Sequence, residues 1–208
     1  MEQSILVFGD SIAYGAWDKE GGWVERLKNS LAEKRKSDSY YIIYNLSVSG
    51  ETTEDLVQRF DFEAGQRADK DTAILFAIGI NDLQFIEPMH DVVRTLKRFK
   101  ENIEGLIQTA SRLSKIVFFV GLTPLNEKIT RPLPSDFANP YTNEHVKELN
   151  QVIKSVCSEE KAVFIEIFSG FMKAGHERLL EDGLHPNSNG HKLIFEQVRQ
   201  ALAKNKII

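Results

Sequence analysis

The chain has 208 residues, 42% hydrophobic and 27% charged, with a formal net charge of −4 at pH 7. That length suits one domain, residues 1–208, with a core of its own. The mild acidity argues against nucleic acid or an anionic membrane surface as a partner, and a single cysteine, Cys157, excludes an internal disulfide.

In chain order, apolar runs alternate with amphipathic segments. The first strand is predicted over Ile5–Phe8 and runs straight into Gly9-Asp10-Ser11. This run is too short for the apolar core of a signal peptide, and no segment approaches a membrane span, so no integral membrane association and a cytoplasmic location are expected. A helix is predicted over Trp23–Lys34, with Lys34-Arg35-Lys36 at its C-terminal end, where cations suit the helix dipole. Strands follow at Tyr41–Leu46, Ala73–Ile78, Ile116–Val120 and Val163–Ile167. Helices fall between them at Thr53–Gln66, Val92–Ser111 and Asn143–Cys157, and a last helix covers Ser188–Leu202 with Leu193, Ile194, Val198 and Leu202 on one face. Near-continuous apolar strands separated by helices predict an α/β fold, a doubly wound parallel sheet covered on both faces. Cys157 shares helical spacing with Val152, Ile153 and Val156, which reads as a buried thiol.

In such sheets the residues following each strand converge at one edge. Here that edge collects Ser11, the Ser47–Gly50 turn, Asn81, Thr123 and the loop before His185. A serine hydroxyl needs a base, and histidine is the natural one near neutral pH. A carboxylate that fixes the histidine tautomer completes the set, and Asp182 and His185 lie on one short segment. An oxyanion formed at Ser11 needs donors: the Ser11 N–H, a backbone at Gly50 free of any Cβ, and the Asn81 amide. Trp17, on the loop after Ser11, and Phe85 with Met89, on a loop expected after Asn81, are candidates to line a substrate crevice. The proline-rich stretch from Thr123 to Pro140 is expected to form part of its rim through Leu125, Leu133 and Phe137. Asp10 and Asp82 read as hydrogen-bonding structural groups. His191, at the start of the last helix, reads as structural too, and Asp182, His185 and His191 lack a matched fourth ligand for zinc.

The four blocks together resemble the SGNH, or GDSL, hydrolase family. Gly9-Asp10-Ser11 is similar to its first block and Asn45-Leu46-Ser47-Val48-Ser49-Gly50 to its second. Gly79-Ile80-Asn81-Asp82 is similar to the third and Asp182-Gly183-Leu184-His185-Pro186 to the last, so the likeness runs through essentially the whole chain. The resemblance implies a three-layer α/β/α architecture on a flavodoxin-like, five-stranded parallel sheet, with no cofactor and no metal. It implies Ser11 as nucleophile, His185 as base, Asp182 as its orienting acid, and Ser11, Gly50 and Asn81 as the oxyanion hole. The expected partner is a small-molecule ester or thioester, cleaved through an acyl-enzyme in the manner of a lysophospholipase, thioesterase or acetyl-esterase. One departure is Ala13, where many relatives carry Thr. The competing readings are an acyltransferase using the same residues and a non-catalytic ligand-binding module on this fold. Nothing in the pattern sets an oligomeric state.

Overall fold

A computed structural model describes residues 2–32, 40–69, 71–86, 92–114, 116–131 and 141–208. Its centre is a five-stranded sheet of β1 (Glu2–Gly9), β2 (Tyr40–Asn45), β3 (Ala73–Ala77), β4 (Ile116–Val120) and β5 (Val163–Ile165), in the order β2-β1-β3-β4-β5. Every neighbouring pair is parallel, with Val7 opposite both Asn45 and Leu75. Around it lie α1 (Ser11–Tyr14), α2 (Gly22–Ala32), α3 (Thr53–Gly65), α4 (Val92–Leu113), α5 (Glu127–Thr130), α6 (Asn143–Glu159), α7 (Phe168–Ala174) and α8 (Ser188–Lys204).

The apolar strands are continuous because both faces are buried. Successive side chains point to opposite sides. Leu6, Phe8, Ile74, Phe76, Val117 and Phe119 enter one core beneath α3, α4 and α6, where the Phe8 and Phe60 rings meet edge to face at 4.9 Å. Ile5, Val7, Leu75, Phe118 and Val120 enter the other, with Trp23, Leu27, Phe171, Ile194 and Val198 from α2, α7 and α8. The doubly wound three-layer architecture expected from the sequence is therefore present. Cys157 is buried in the first core, and burial pushes its thiol up to about 12.

Local chemistry sets the element boundaries. Thr52 and Asp55 form a capping box at the start of α3, and Asn187 accepts from the Asn189 and Gly190 N–H groups to begin α8. Three elements depart from the sequence expectation. The last strand stops at Ile165 rather than Ile167, because Ile167 turns to cap α7. α5 interrupts the stretch expected to be irregular from Thr123 onward. The segment Ile80–Phe85 coils as a 3-10 helix directly after Gly79, whose φ is +126°.

One close approach sets how the first strand leaves the sheet. A Cβ on Gly9 would lie 2.5 Å from the Ala77 carbonyl oxygen and 2.6 Å from the Ala13 Cβ. Glycine thus lets α1 fold back across the end of β3. Gly9→Ala should cost about 1–3 kcal/mol by overpacking, read as a lower urea midpoint at unchanged slope.

Candidate active site

Ser11 is the first residue of α1, placed there because Asp10 ends β1 and caps the turn by accepting from the Ile12 N–H at 2.9 Å. Ser11 is 8% exposed and its hydroxyl lies 2.8 Å from His185 Nε2. His185 Nδ1 lies 2.7 Å from Asp182 Oδ2, completing a hydrogen-bonded chain of three side chains.

The acid and the imidazole share one local frame. Asp182 Oδ1 accepts from the backbone N–H groups of Leu184 and His185 at 3.0 and 2.8 Å. The segment closes on itself through an antiparallel bridge between Leu180 and Pro186 and a bond from the Glu181 N–H to the His185 carbonyl. Gly183, at φ +90°, turns the tip of this loop toward Ile129 and Thr130 of α5, and its carbonyl accepts from the Asn126 N–H at 2.8 Å. Partial burial opposes the Asp182 charge. The His185 ring and the two backbone N–H groups outweigh it and hold this carboxyl well below the usual carboxylate range.

The second block forms a turn. Glu51 N–H donates to the Val48 carbonyl, and Gly50 sits between them at φ +81°, the conformation a type II turn requires at its third residue. Asn45 anchors the entry by donating from Nδ2 to the Ala13 carbonyl at 3.0 Å and accepting from the Ser47 N–H. Arg59 of α3 anchors the exit, with both carboxylate oxygens of Glu51 and the Leu46 carbonyl as acceptors. Asn81 donates from Nδ2 to the Glu51 carbonyl at 2.9 Å, which ties the third block to the second and leaves its other amide hydrogen for the cleft.

These elements open onto a cleft of about 730 Å³ lined by Ser11, Tyr14, Gly15, Ala16, Trp17, Ser49, Gly50, Asn81, Gln84, Tyr141, Leu184 and His185. All five residues expected for the nucleophile, acid–base pair and oxyanion donors thus meet at one edge of the sheet. Trp17 lines the cleft and its indole N–H lies 3.0 Å from Asp182 Oδ2. Phe85 is not among the lining residues, and its neighbour Gln84 takes that place. Leu125 is no rim residue: it is fully buried in the first core, with its backbone clasped by the Asn143 amide. Thr123 is buried and lines a small separate cavity together with Asp10. Met89, Leu133 and Phe137 lie outside the described residues. Tyr14 and Tyr141 were not singled out from the sequence. Tyr14 follows Ser11 by one helical turn, a readable signal, whereas nothing local to Tyr141 points to the site.

Among the described residues no group of three or more His, Cys, Asp or Glu comes together as a metal site. Three other titratable groups are buried close to the cleft residues in the fold. Burial pushes Asp10 up to about 7 and Asp82 up to about 6, against hydrogen bonds from Ile12 and Thr53 that favour their charged forms. Asp82 accepts from both the Thr53 N–H and hydroxyl, fixing the third block to the start of α3. His191 is wholly buried behind the loop carrying Trp17, and burial pushes it down to about 4.

The model of the GDSL-like Lipase/Acylhydrolase family matches residues 7–193. The chain belongs to this family and is a serine hydrolase of the carboxylic ester kind. It is 27% identical over 214 residues to the Bacillus subtilis (strain 168) protein named Uncharacterized protein YpmR, covering 96% of this chain and 81% of that one. Among solved structures, a member of the lipolytic G-D-S-L family from Veillonella parvula DSM 2008 superposes with a TM-score of 0.74 at 18% identity, over 97% of this chain and 99% of that one. LAE5, an α/β hydrolase enzyme from the metagenome of Lake Arreo, gives 0.74 at 17% identity, over 97% and 95% of the two chains. Axe2, an acetylxylan esterase from Geobacillus stearothermophilus, gives 0.73 at 18%, over 95% and 93%. At these identities the solved structures share the fold.

The buried histidine makes a testable statement about pH. Between its ordinary value of 6.5 and its folded value of about 4, the unfolded chain binds a proton at His191 that the folded chain refuses. Stability from this group is therefore lost as pH falls through that window, by roughly 3 kcal/mol. Asp10 acts oppositely: its folded carboxyl keeps a proton between 3.8 and about 7, so it adds stability as pH falls. The difference between wild type and His191→Leu isolates the histidine. Urea unfolding at pH 7 and 4.5 should show the variant losing less stability on acidification, and parallel pH dependences would contradict the assignment.

Proposed function

We propose that residues 1–208 form one esterase domain that cleaves carboxylic esters through an acyl-enzyme on Ser11. The observation that carries this reading is the Ser11 Oγ–His185 Nε2–Asp182 chain, 2.8 and 2.7 Å in its two links, with Ser11 and His185 lining the cleft. Ser11 Oγ attacks the ester carbonyl carbon as its proton passes to His185 Nε2. Asp182 keeps the other imidazole proton on Nδ1 and stabilises the imidazolium. The carbonyl oxygen gains the negative charge and is met by the Ser11 N–H, the Gly50 N–H and the second Asn81 amide hydrogen. Collapse breaks the ester bond, and the imidazolium returns its proton to the departing alcohol. Water then repeats the sequence on the acyl-enzyme and releases the acid.

The lining of the cleft supports a neutral substrate. Its described residues include no Lys or Arg, so an anionic group on the substrate finds no counter-charge there. Aromatic faces from Tyr14, Trp17 and Tyr141 and amides from Asn81 and Gln84 offer apolar contact and hydrogen bonds instead. Neutral acyl esters, including acetylated sugars, fit this chemistry better than phosphate-bearing thioesters.

Ser11→Ala should retain the fold and lose nearly all turnover of p-nitrophenyl esters. A fluorophosphonate should give one adduct, on Ser11, and labelling of the Ser11→Ala protein would overturn the nucleophile assignment. Asn81→Ala should lower kcat by roughly 10²–10³ with little change in KM, since the donor gains strength only as the oxyanion forms. A loss confined to KM would move Asn81 from the oxyanion to substrate binding. A panel of acetylated sugars against acyl-thioesters carrying phosphate groups should favour the sugars in kcat/KM.

A further inference from the structure

We propose that Trp17 is a positioning residue for the acid–base pair, its indole N–H fixing the Asp182 carboxylate that orients His185. This rests on the reading of Ser11, His185 and Asp182 given above.

The indole Nε1 lies 3.0 Å from Asp182 Oδ2 and 3.1 Å from His185 Nδ1. In the tautomer that leaves Nε2 free to take the Ser11 proton, Nδ1 carries hydrogen and donates to Asp182. It then has no lone pair to offer, so the indole hydrogen belongs to Oδ2. The carboxylate is thereby fully engaged: Oδ1 takes the Leu184 and His185 N–H groups, and Oδ2 takes the imidazole and the indole. A carboxylate offers about four such positions. Without the indole, Oδ2 keeps one partner, and the side chain, 43% exposed, is open to water from that side.

The backbone shows that this placement is imposed. Trp17 is 66% exposed, yet it stands at φ +66°, a left-handed conformation that a non-glycine residue holds only when its surroundings over-determine it. The constraints come from both sides. Before it, a Cβ on Gly15 would lie 2.3 Å from the Gly21 carbonyl, so the loop crosses the start of α2 at backbone contact. After it, Asp18 is locked by the Gly22 and Glu20 N–H groups and by Arg26, which also reaches the Ser188 hydroxyl on α8 at 2.7 Å. An exposed tryptophan serving only as a wall of the cleft needs apolar surface there. It does not need its single donor aimed at the acid.

The test separates donor from wall. Trp17→Phe keeps an aromatic face and removes the N–H, whereas Trp17→Ala removes both. In Trp17→Phe, kcat on p-nitrophenyl acetate should fall about tenfold, the effect of one hydrogen bond to a charged group, with KM within about twofold of wild type. Trp17→Ala should show the same loss of kcat and a raised KM. Wild-type kcat in Trp17→Phe overturns the proposal and leaves Trp17 as a wall. Fluorophosphonate labelling of the same proteins separates this failure from failure of the underlying reading. A labelled Ser11 with unchanged Trp17→Phe turnover overturns only the positioning role, and an unlabelled Ser11 in the wild type overturns both.

Discussion

The carboxyl edge of a parallel sheet is the constraint from which the rest of this molecule follows. There each strand runs out of neighbours, and its last backbone groups must find partners in the loops or remain unsatisfied. Backbone groups of neighbouring loops supply some of them and side-chain carboxamides and carboxylates supply others. Asp10 receives the Ile12 N–H of α1, and Asn45 closes the exit of β2 against Ala13. Asn150 and Asn143, on one face of α6, each clasp both backbone groups of one residue beyond β4, Leu122 and Leu125. Once these groups are satisfied the loops have little freedom, and the cleft they border is defined by the same bonds that close the sheet.

The same edge distributes charge. Asp10, Asp82 and Asp182 all lie near Ser11 in the fold, yet their surroundings drive them apart. Two are enclosed, and enclosure favours their protonated forms despite local donors. Asp182 stands half in solvent with donors on both oxygens and keeps its charge. Unequal environments around similar carboxyls are how one fold assigns unlike tasks to them. Asp82 spends its oxygens on Thr53 and Asp10 on Ile12, so each is committed to holding a loop. Only Asp182 is both ionised and hydrogen-bonded to an imidazole.

Much of this was legible in the sequence, for identifiable reasons. Strands buried on both faces leave unbroken apolar runs, and the run Ile5–Phe8 with its glycine stop announced β1 and the position of Ser11. The pairing of Asp182 with His185 was legible because it is local. What escaped is set at a distance. The contact between Trp17 and Asp182 joins segments with nothing in common along the chain. Leu125 looked like a rim residue because prolines surround it, but the Asn143 clasp draws it into the core. The short helices α5 and α7 carry no pattern long enough to declare a period, and tertiary contacts decide them.

The hairpin from Leu180 to Pro186 and the capped turn at Ser11 are each rigid by their own internal bonds. Two side-chain links join them, Ser11 Oγ to His185 Nε2 and the Trp17 indole, on the loop after Ser11, to Asp182 Oδ2. Two stiff parts held by so few bonds separate before either one bends. Dilute denaturant that loosens the seating of α8 on α2 would draw the hairpin off with Asp182 and His185 still paired, and Ser11 would lose its partner. The sheet beneath would keep its own bonds, so far-ultraviolet spectra would still report a folded protein.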